Sequence, residues 1–187
     1  MNYDLLKNVY SFYVLNQCLN IKLKQKQSAN IISGIHASCA TFLSGIGDIQ
    51  SLRGISTSYF IYDSLQMLYT TKIGIMEIAY LYHHLSAIYL LSKDSRQFPI
   101  RQIFFWAELS NLPGYPLYYY LHSNKLDPKV AFLKTMQKIM FVGIRIPIIS
   151  QILISFYTKN KHNVKNIYPF IPSYLMGLIW SAKILNK

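Results

Sequence analysis

The chain has 187 residues, 52% of them hydrophobic and only 14% charged, with nineteen Lys and Arg against seven Asp and Glu for a net charge of +12. A soluble domain of this size could bury one or two wholly apolar helices. It could not bury the five apolar windows at 29–47, 73–91, 101–122, 139–157 and 167–185, each about long enough to cross a hydrocarbon core of roughly 30 Å. The mean hydropathy of +0.20 is modest only because sixteen Tyr and many Asn, Lys and Ser lower the average between those windows.

The basic residues fall in short connectors: Lys22, Lys24 and Lys26; Lys93 and Arg96; Lys125 and Lys129; Lys159, Lys161 and Lys165. There they read as anchors at anionic headgroups. No soluble basic face with interleaved aromatics is left for a nucleic acid. Cys18 and Cys39 lie in or beside apolar segments and suggest no disulfide framework. The N-terminus carries Asp4, Lys7 and Asn8 and no small-residue cleavage site, so a cleaved signal peptide is not expected.

In chain order, residues 4–21 read as a helix that carries Lys7, Asn8, Asn16 and Gln17. It fits a full span, a tilted interfacial helix or the stub of a shortened span. The run 22–27 is a solvated connector, so residues 1–27 form one unit and 28–187 the membrane domain. Segment 29–47 is the first clear span, with His36 near its middle, and 48–56 reads as a polar loop. Ser56 to Leu91 then forms a helical hairpin that turns near Lys72 to Gly74, with Asp63 in its first arm and His83 and His84 in its second. A loop at 92–100 ends at Pro99. The next span, 101–122, is interrupted at Leu112–Pro116 by Pro-Gly-Tyr-Pro, just after Glu108 and Asn111. Prolines cannot continue the hydrogen-bond ladder, and broken helices at membrane depth line cavities rather than lipid. After the 123–130 connector, a helix over 131–157 starts with Lys134 and Lys138 and holds Arg145 and Pro147. A last span covers 167–185, with Pro169 and Pro172 at its start and Lys183 and Lys187 at its end. Positive charge falls on both sides of the alternating topology, so it sets no orientation. The expected fold is an all-α, multi-pass transmembrane bundle or barrel of about six membrane helices, five to seven in range.

Counting residues from the turns gives depths. Asp63 lies nine residues before Lys72 and His83 eleven after it, so at about 1.5 Å per residue they sit within roughly 3 Å of one level. Around Arg96, His84 and Glu108 are each twelve residues away; around Leu126, Glu108 is eighteen before and Arg145 nineteen after. Around Leu52 the match is looser, with His36 sixteen before and Asp63 eleven after. Asp63, His83, His84, Glu108 and Arg145 thus share a layer, with His36 about a turn and a half away. Ionised groups isolated in hydrocarbon are too costly, so these residues should face one another around a polar cavity. Arg145 needs Asp63 or Glu108 as a partner, and such a pair fits a helix-fastening role as well as a catalytic one. A histidine beside a carboxylate suits a general base or nucleophile.

Other polar residues read more simply. His36 alone fits an interhelical hydrogen bond. Glu77 lies one heptad before His84 or snorkels at the boundary, the tyrosines at 118–120 form an interfacial belt, and His122 and His162 lie in or near connectors. A metal site is not expected: adjacent His83 and His84 point about 100° apart on a helix, Tyr80 stands where an HxxHH box needs histidine, and HExxH is absent.

The pieces His36, SYFIYDSLQML with Asp63, YLYHHLSAIYLL with His83 and His84, WAELSNLP with Glu108, Arg145 and the closing IWSAKIL together resemble the TLC family of multi-pass membrane proteins, from about His36 to Lys183. The likeness is to the small TLC-domain proteins more than to the ceramide synthases. Those synthases carry two closely spaced aspartates where this chain has Glu108 alone, and this chain has no added soluble N-terminal module. The resemblance implies a lipid-facing helical barrel in the endoplasmic reticulum or another endomembrane, or a host membrane for a viral source. It implies lipid metabolism or lipid handling, with membrane lipids as partners and a long-chain lipid in a cavity lined by His36, Asn111 and Arg145. The alternative is a ceramide-synthase-like acyltransferase with His83, His84, Asp63 and Glu108 as catalytic residues. No cofactor is expected, and acyl-CoA enters as co-substrate of that alternative. A cargo or translocation-associated role, as in other relatives, is the third reading.

Overall fold

The computed structural model describes residues 3–93, 99–123, 125, 127–159 and 168–185. The expected loop pivots at Arg96 and Leu126, and Lys161, His162, Lys165 and Lys187, lie outside the described residues. Among the described residues every regular element is helical.

The first helix, α1 (Tyr3–Asn20), packs on the third and second helices through Val9, Phe12, Leu15 and Leu19 and buries Asn16 completely. Leu6, Tyr10, Tyr13 and Val14 stay exposed on its opposite face. α2 (Gln25–Ile46) starts inside the expected connector, because the Gln27 side chain accepts a hydrogen bond from the Lys24 backbone N–H at 3.3 Å and caps the helix there. It stops at Gly47, whose φ of +84° is a left-handed cap that glycine adopts without strain.

Asp48 begins the next helix at once, its carboxylate accepting from the Ser51 N–H at 3.0 Å. The expected polar loop at 48–56 is therefore the start of α3 (Ile49–Thr70), and the turn is only Gly47–Asp48. The polar residues that suggested a loop are used inside the helix: Ser56 is fully buried, and Arg53 donates to the Lys93 carbonyl. After the turn at Thr71–Gly74, α4 (Ile75–Leu91) completes the hairpin. Glu77 caps its start, accepting from the Gly74 N–H at 3.0 Å, and so stands at the helix end away from the histidines.

The proline-interrupted span consists of α5 (Ile100–Asn111) and α6 (Gly114–Ser123), broken at Leu112–Pro113. Across the break the Asn30 side chain of α2 donates to the Tyr115 carbonyl at 2.9 Å. At the other end of α5, Arg101 donates from Nε to the Ser44 carbonyl at 2.7 Å and from Nη2 to the Gly45 carbonyl at 2.9 Å. A cation thereby closes the negative end of α2.

Pro128 to Lys159 form one rod of 32 residues: α7 (Pro128–Lys138), a widened π-helical turn at Ile139–Arg145, and α8 (Ile146–Lys159). Pro147 lacks an N–H and its ring crowds the carbonyl four residues earlier, so the ladder loosens just before it. One extra residue in a turn rotates the downstream side chains by about 100°, and Arg145 sits at the end of that turn. A 3-10 turn at Tyr168–Phe170 leads into α9 (Ile171–Leu185), which packs on α4 and α7.

The core joins α2, α3, α4 and α5 through Ile32, Leu52, Phe60, Leu90, Ile103 and Phe104. Two rods, Gln25–Ile46 and Pro128–Lys159, are long and apolar enough to cross a membrane. α4 and α9, at 17 and 15 residues, and the divided α5–α6 are shorter than the windows that suggested spans.

Candidate functional site

The α3–α4 hairpin brings Asp63 and His84 together across its arms. His84 Nε2 stands 3.5 Å from Asp63 Oδ2, and its Nδ1 is 3.0 Å from the Ser64 hydroxyl. His84 is buried, so both ring nitrogens are occupied by groups of the opposing helix. If Ser64 donates to Nδ1, the proton on Nε2 faces the carboxylate. His83, the next residue, points elsewhere: its ring lies 5.9 Å from that of His84 at an interplanar angle of 51°. Its Nδ1 is buried without a hydrogen-bond partner among the described residues. The two adjacent histidines thus divide into one held through both ring nitrogens and one whose Nδ1 is without a hydrogen-bond partner among the described residues.

His36 is buried on α2, bonded to Ser56 through Nε2 at 3.0 Å and stacked on Tyr59 with ring centroids 3.9 Å apart. Tyr59 in turn donates to the Ser33 hydroxyl at 2.8 Å. Opposite the histidines, Glu108 is buried on α5 and accepts from the Asn111 amide at 3.5 Å, while Asn111 Oδ1 accepts from Arg145 Nη1 at 2.9 Å. Arg145 also covers the Phe141 ring, 4.4 Å from its centroid. Among the described residues Arg145 reaches its carboxylate through Asn111 rather than by direct pairing, and Asp63 pairs with His84.

These side chains meet at a cavity of about 360 Å³ lined by His36, Asp63, His83, His84, Glu108 and Asn111 together with Tyr59, Tyr115 and Trp180. That size lies in the range of small-ligand sites. His83 and Glu108 also line an adjoining narrow apolar cleft of about 60 Å³, walled by Leu90, Ile103, Phe104 and Ile149 and bordered by Arg145. The polar cavity shares Tyr80, Tyr118 and Trp180 with a second opening of about 380 Å³, much the same size. Six of the seven residues singled out in the sequence line the polar cavity, and Arg145 lines the adjoining cleft.

The sequence reading missed Ser64, Ser56, Tyr59 and Trp180. Ser64 follows Asp63 directly, Tyr59 lies one turn before it, and Trp180 belongs to the IWSAKIL segment, so position carried a signal for these three and none for Ser56. His122 bonds the Tyr118 carbonyl on α6 through Nδ1 and stays outside the cavity lining. Among the described residues no group of three or more His, Cys, Asp and Glu side chains is arranged to hold a metal. Chemically, the cavity offers one imidazole with an Nδ1 unpartnered among the described residues, a second imidazole fixed by a hydroxyl and a carboxylate, and a carboxylate linked to a guanidinium through an amide. No protein family, characterised protein or solved structure matches the chain.

Proposed function

We propose that the chain is a multi-span membrane protein, akin to the small TLC-domain proteins, that holds a long-chain lipid with its polar linkage at the histidine layer. Embedding beyond the two apolar rods is supported by the large apolar side chains facing outward on the other helices, among them Leu65 and Leu68 on α3, Ile78 and Leu85 on α4, and Leu175 and Ile179 on α9. The observation that carries the lipid reading is the junction of polar cavity and apolar cleft at His83 and Glu108. An amphiphile needs such a junction, with hydrogen-bonding groups where its ester, amide or hydroxyl lies and hydrocarbon walls where its chain begins. An endomembrane of lipid synthesis is the compartment this reading implies.

The unpartnered Nδ1 of His83 favours a second reading, acyl transfer. The imidazole would attack the thioester carbonyl of an acyl-CoA, the carbon–sulfur bond would break, and the thiol would leave with a proton. A long-chain amine would then take the acyl group from the imidazole, and the proton the amine loses would restore the one the ring gave to the thiol.

Mass spectrometry of lipid bound to protein purified in mild detergent, wild type beside His83→Ala/His84→Ala, tests both. A bound long-chain lipid in the wild type supports lipid handling, and its absence overturns it. A histidine-linked acyl adduct lost in the variant supports transfer, whereas the same non-covalent lipid on both proteins overturns transfer and leaves holding alone.

A further inference from the structure

The opening next to the polar cavity differs from it in charge. Lys134 and Lys138 from α7 and Lys183 from α9 line it, and among the described residues no Asp or Glu does. The two α7 lysines are one turn apart on one face, and Lys183 comes from the helix that packs against α7 there. Lysines that only anchored the chain at a membrane surface could lie anywhere around the rods. These three converge on one opening, which shares Tyr80, Tyr118, Gln137 and Trp180 with the polar cavity. The three spaces adjoin through shared walls, so lysines, the histidine–carboxylate layer and an apolar cleft follow one another in space.

We infer that the opening formed by Lys134, Lys138 and Lys183 is a binding site for the anionic, phosphate-type headgroup of the amphiphile whose linkage lies at the histidine layer. The ammonium groups match an anionic head in charge, as flexible point charges rather than a fixed bidentate fork. This rests on the lipid-handling reading and specifies the class of lipid as one with a negative head. A neutral or cationic head would leave three like charges uncompensated at the opening.

Trp180 lines both the opening and the cavity and serves as the reporter. The chain has two tryptophans, so Trp106→Phe leaves Trp180 alone. In neutral detergent, the emission of that protein is followed during titration with hexadecyl phosphate, hexadecanol and inorganic phosphate. Hexadecyl phosphate should saturate at a concentration at least about tenfold below hexadecanol, and the advantage should shrink as potassium chloride is raised. In Lys134→Gln/Lys138→Gln/Lys183→Gln the advantage should vanish while hexadecanol binding stays the same. Equal affinities for the two amphiphiles in the parent, or an advantage that survives the triple substitution or high salt, overturns the headgroup site and leaves lipid holding intact. Inorganic phosphate that binds as tightly as hexadecyl phosphate assigns the site to free phosphate and overturns the amphiphile. If neither amphiphile changes the Trp180 emission, the lipid-handling reading itself falls. Should the triple variant fail to fold, the salt titration on the parent decides.

Discussion

Arg145 donates to Asn111 at 2.9 Å, and Asn111 in turn donates to Glu108, so the amide is the bridge between a buried cation and a buried carboxylate. Removing the bridge leaves two groups short of partners, each a loss of about 1–3 kcal/mol. Asn111→Leu should therefore lower the thermal stability in detergent more than Glu108→Gln does. Neutralising both ends together, Glu108→Gln with Arg145→Gln, should cost less than Asn111→Leu, because no charge is then left uncompensated. Melting curves of the three variants check this order. A melt of Asn111→Leu indistinguishable from wild type would show that the bridge carries no stability.

The unequal anchoring of the two histidines predicts unequal consequences. His84→Ala removes the contacts to Ser64 and Asp63 and empties a buried volume between the hairpin arms. It should destabilise the fold by about 2–4 kcal/mol. His83→Ala removes a ring whose Nδ1 has no partner and should leave the melting temperature nearly unchanged while altering what the cavity binds. Thermal melts beside bound-lipid analysis separate the two; equal loss of stability in both variants would refute the division of roles.

Counting from the turn after α3 brought Asp63 and the histidine pair to one level, and the count for His36 is instructive. It worked for Asp63 and the histidine pair because the turn at Thr71–Gly74 is short and lies where the sequence breaks. It misjudged His36 because Asp48 caps α3 immediately, which moves the pivot from Leu52 back to Gly47–Asp48. From that pivot His36 is eleven residues before Gly47 and Tyr59 eleven after Asp48, which accounts for their stacking. The all-helical architecture was readable from apolar windows alone. The aim of Arg145 was not, because it depends on the widened turn that Pro147 induces, and one residue of slippage there changes which neighbour a side chain meets. The Asn111 bridge was likewise beyond a depth count, which places residues at levels but not at angles around the axis.

Gly34 on α2 faces Tyr115 of the broken span so closely that a Cβ there would lie 3.3 Å from the Tyr115 Cβ and Cγ. Tyr115 lines the polar cavity, so this contact sets the cavity wall. Gly34→Ala should be accommodated by a small shift of α6, whereas Gly34→Leu must displace the tyrosine and should cost about 1–3 kcal/mol from overpacking. Lipid bound per protein should fall in Gly34→Leu and recover in Gly34→Leu/Tyr115→Ala. Undiminished binding in the single variant would mean that the wall is set elsewhere.

Asp48 lies in the turn between α2 and α3, where its pH dependence is open to measurement. Hydrogen bonds from Ser51, the side chain first and then the backbone N–H, hold its carboxyl below the usual aspartate value. A carboxyl depressed in the folded state binds its proton more readily when the chain is unfolded. Its contribution is therefore full above the ordinary aspartate range and disappears as the pH falls through the depressed value. At neutral pH Asp48→Ala should melt at a lower temperature than wild type, through loss of the cap. The gap between the two melting temperatures should narrow as the pH is lowered from about 5 to about 3, since only the wild type loses an ionised cap over that range. A gap that stays constant over that interval would show that the capping carboxylate is not what ties α3 to its start.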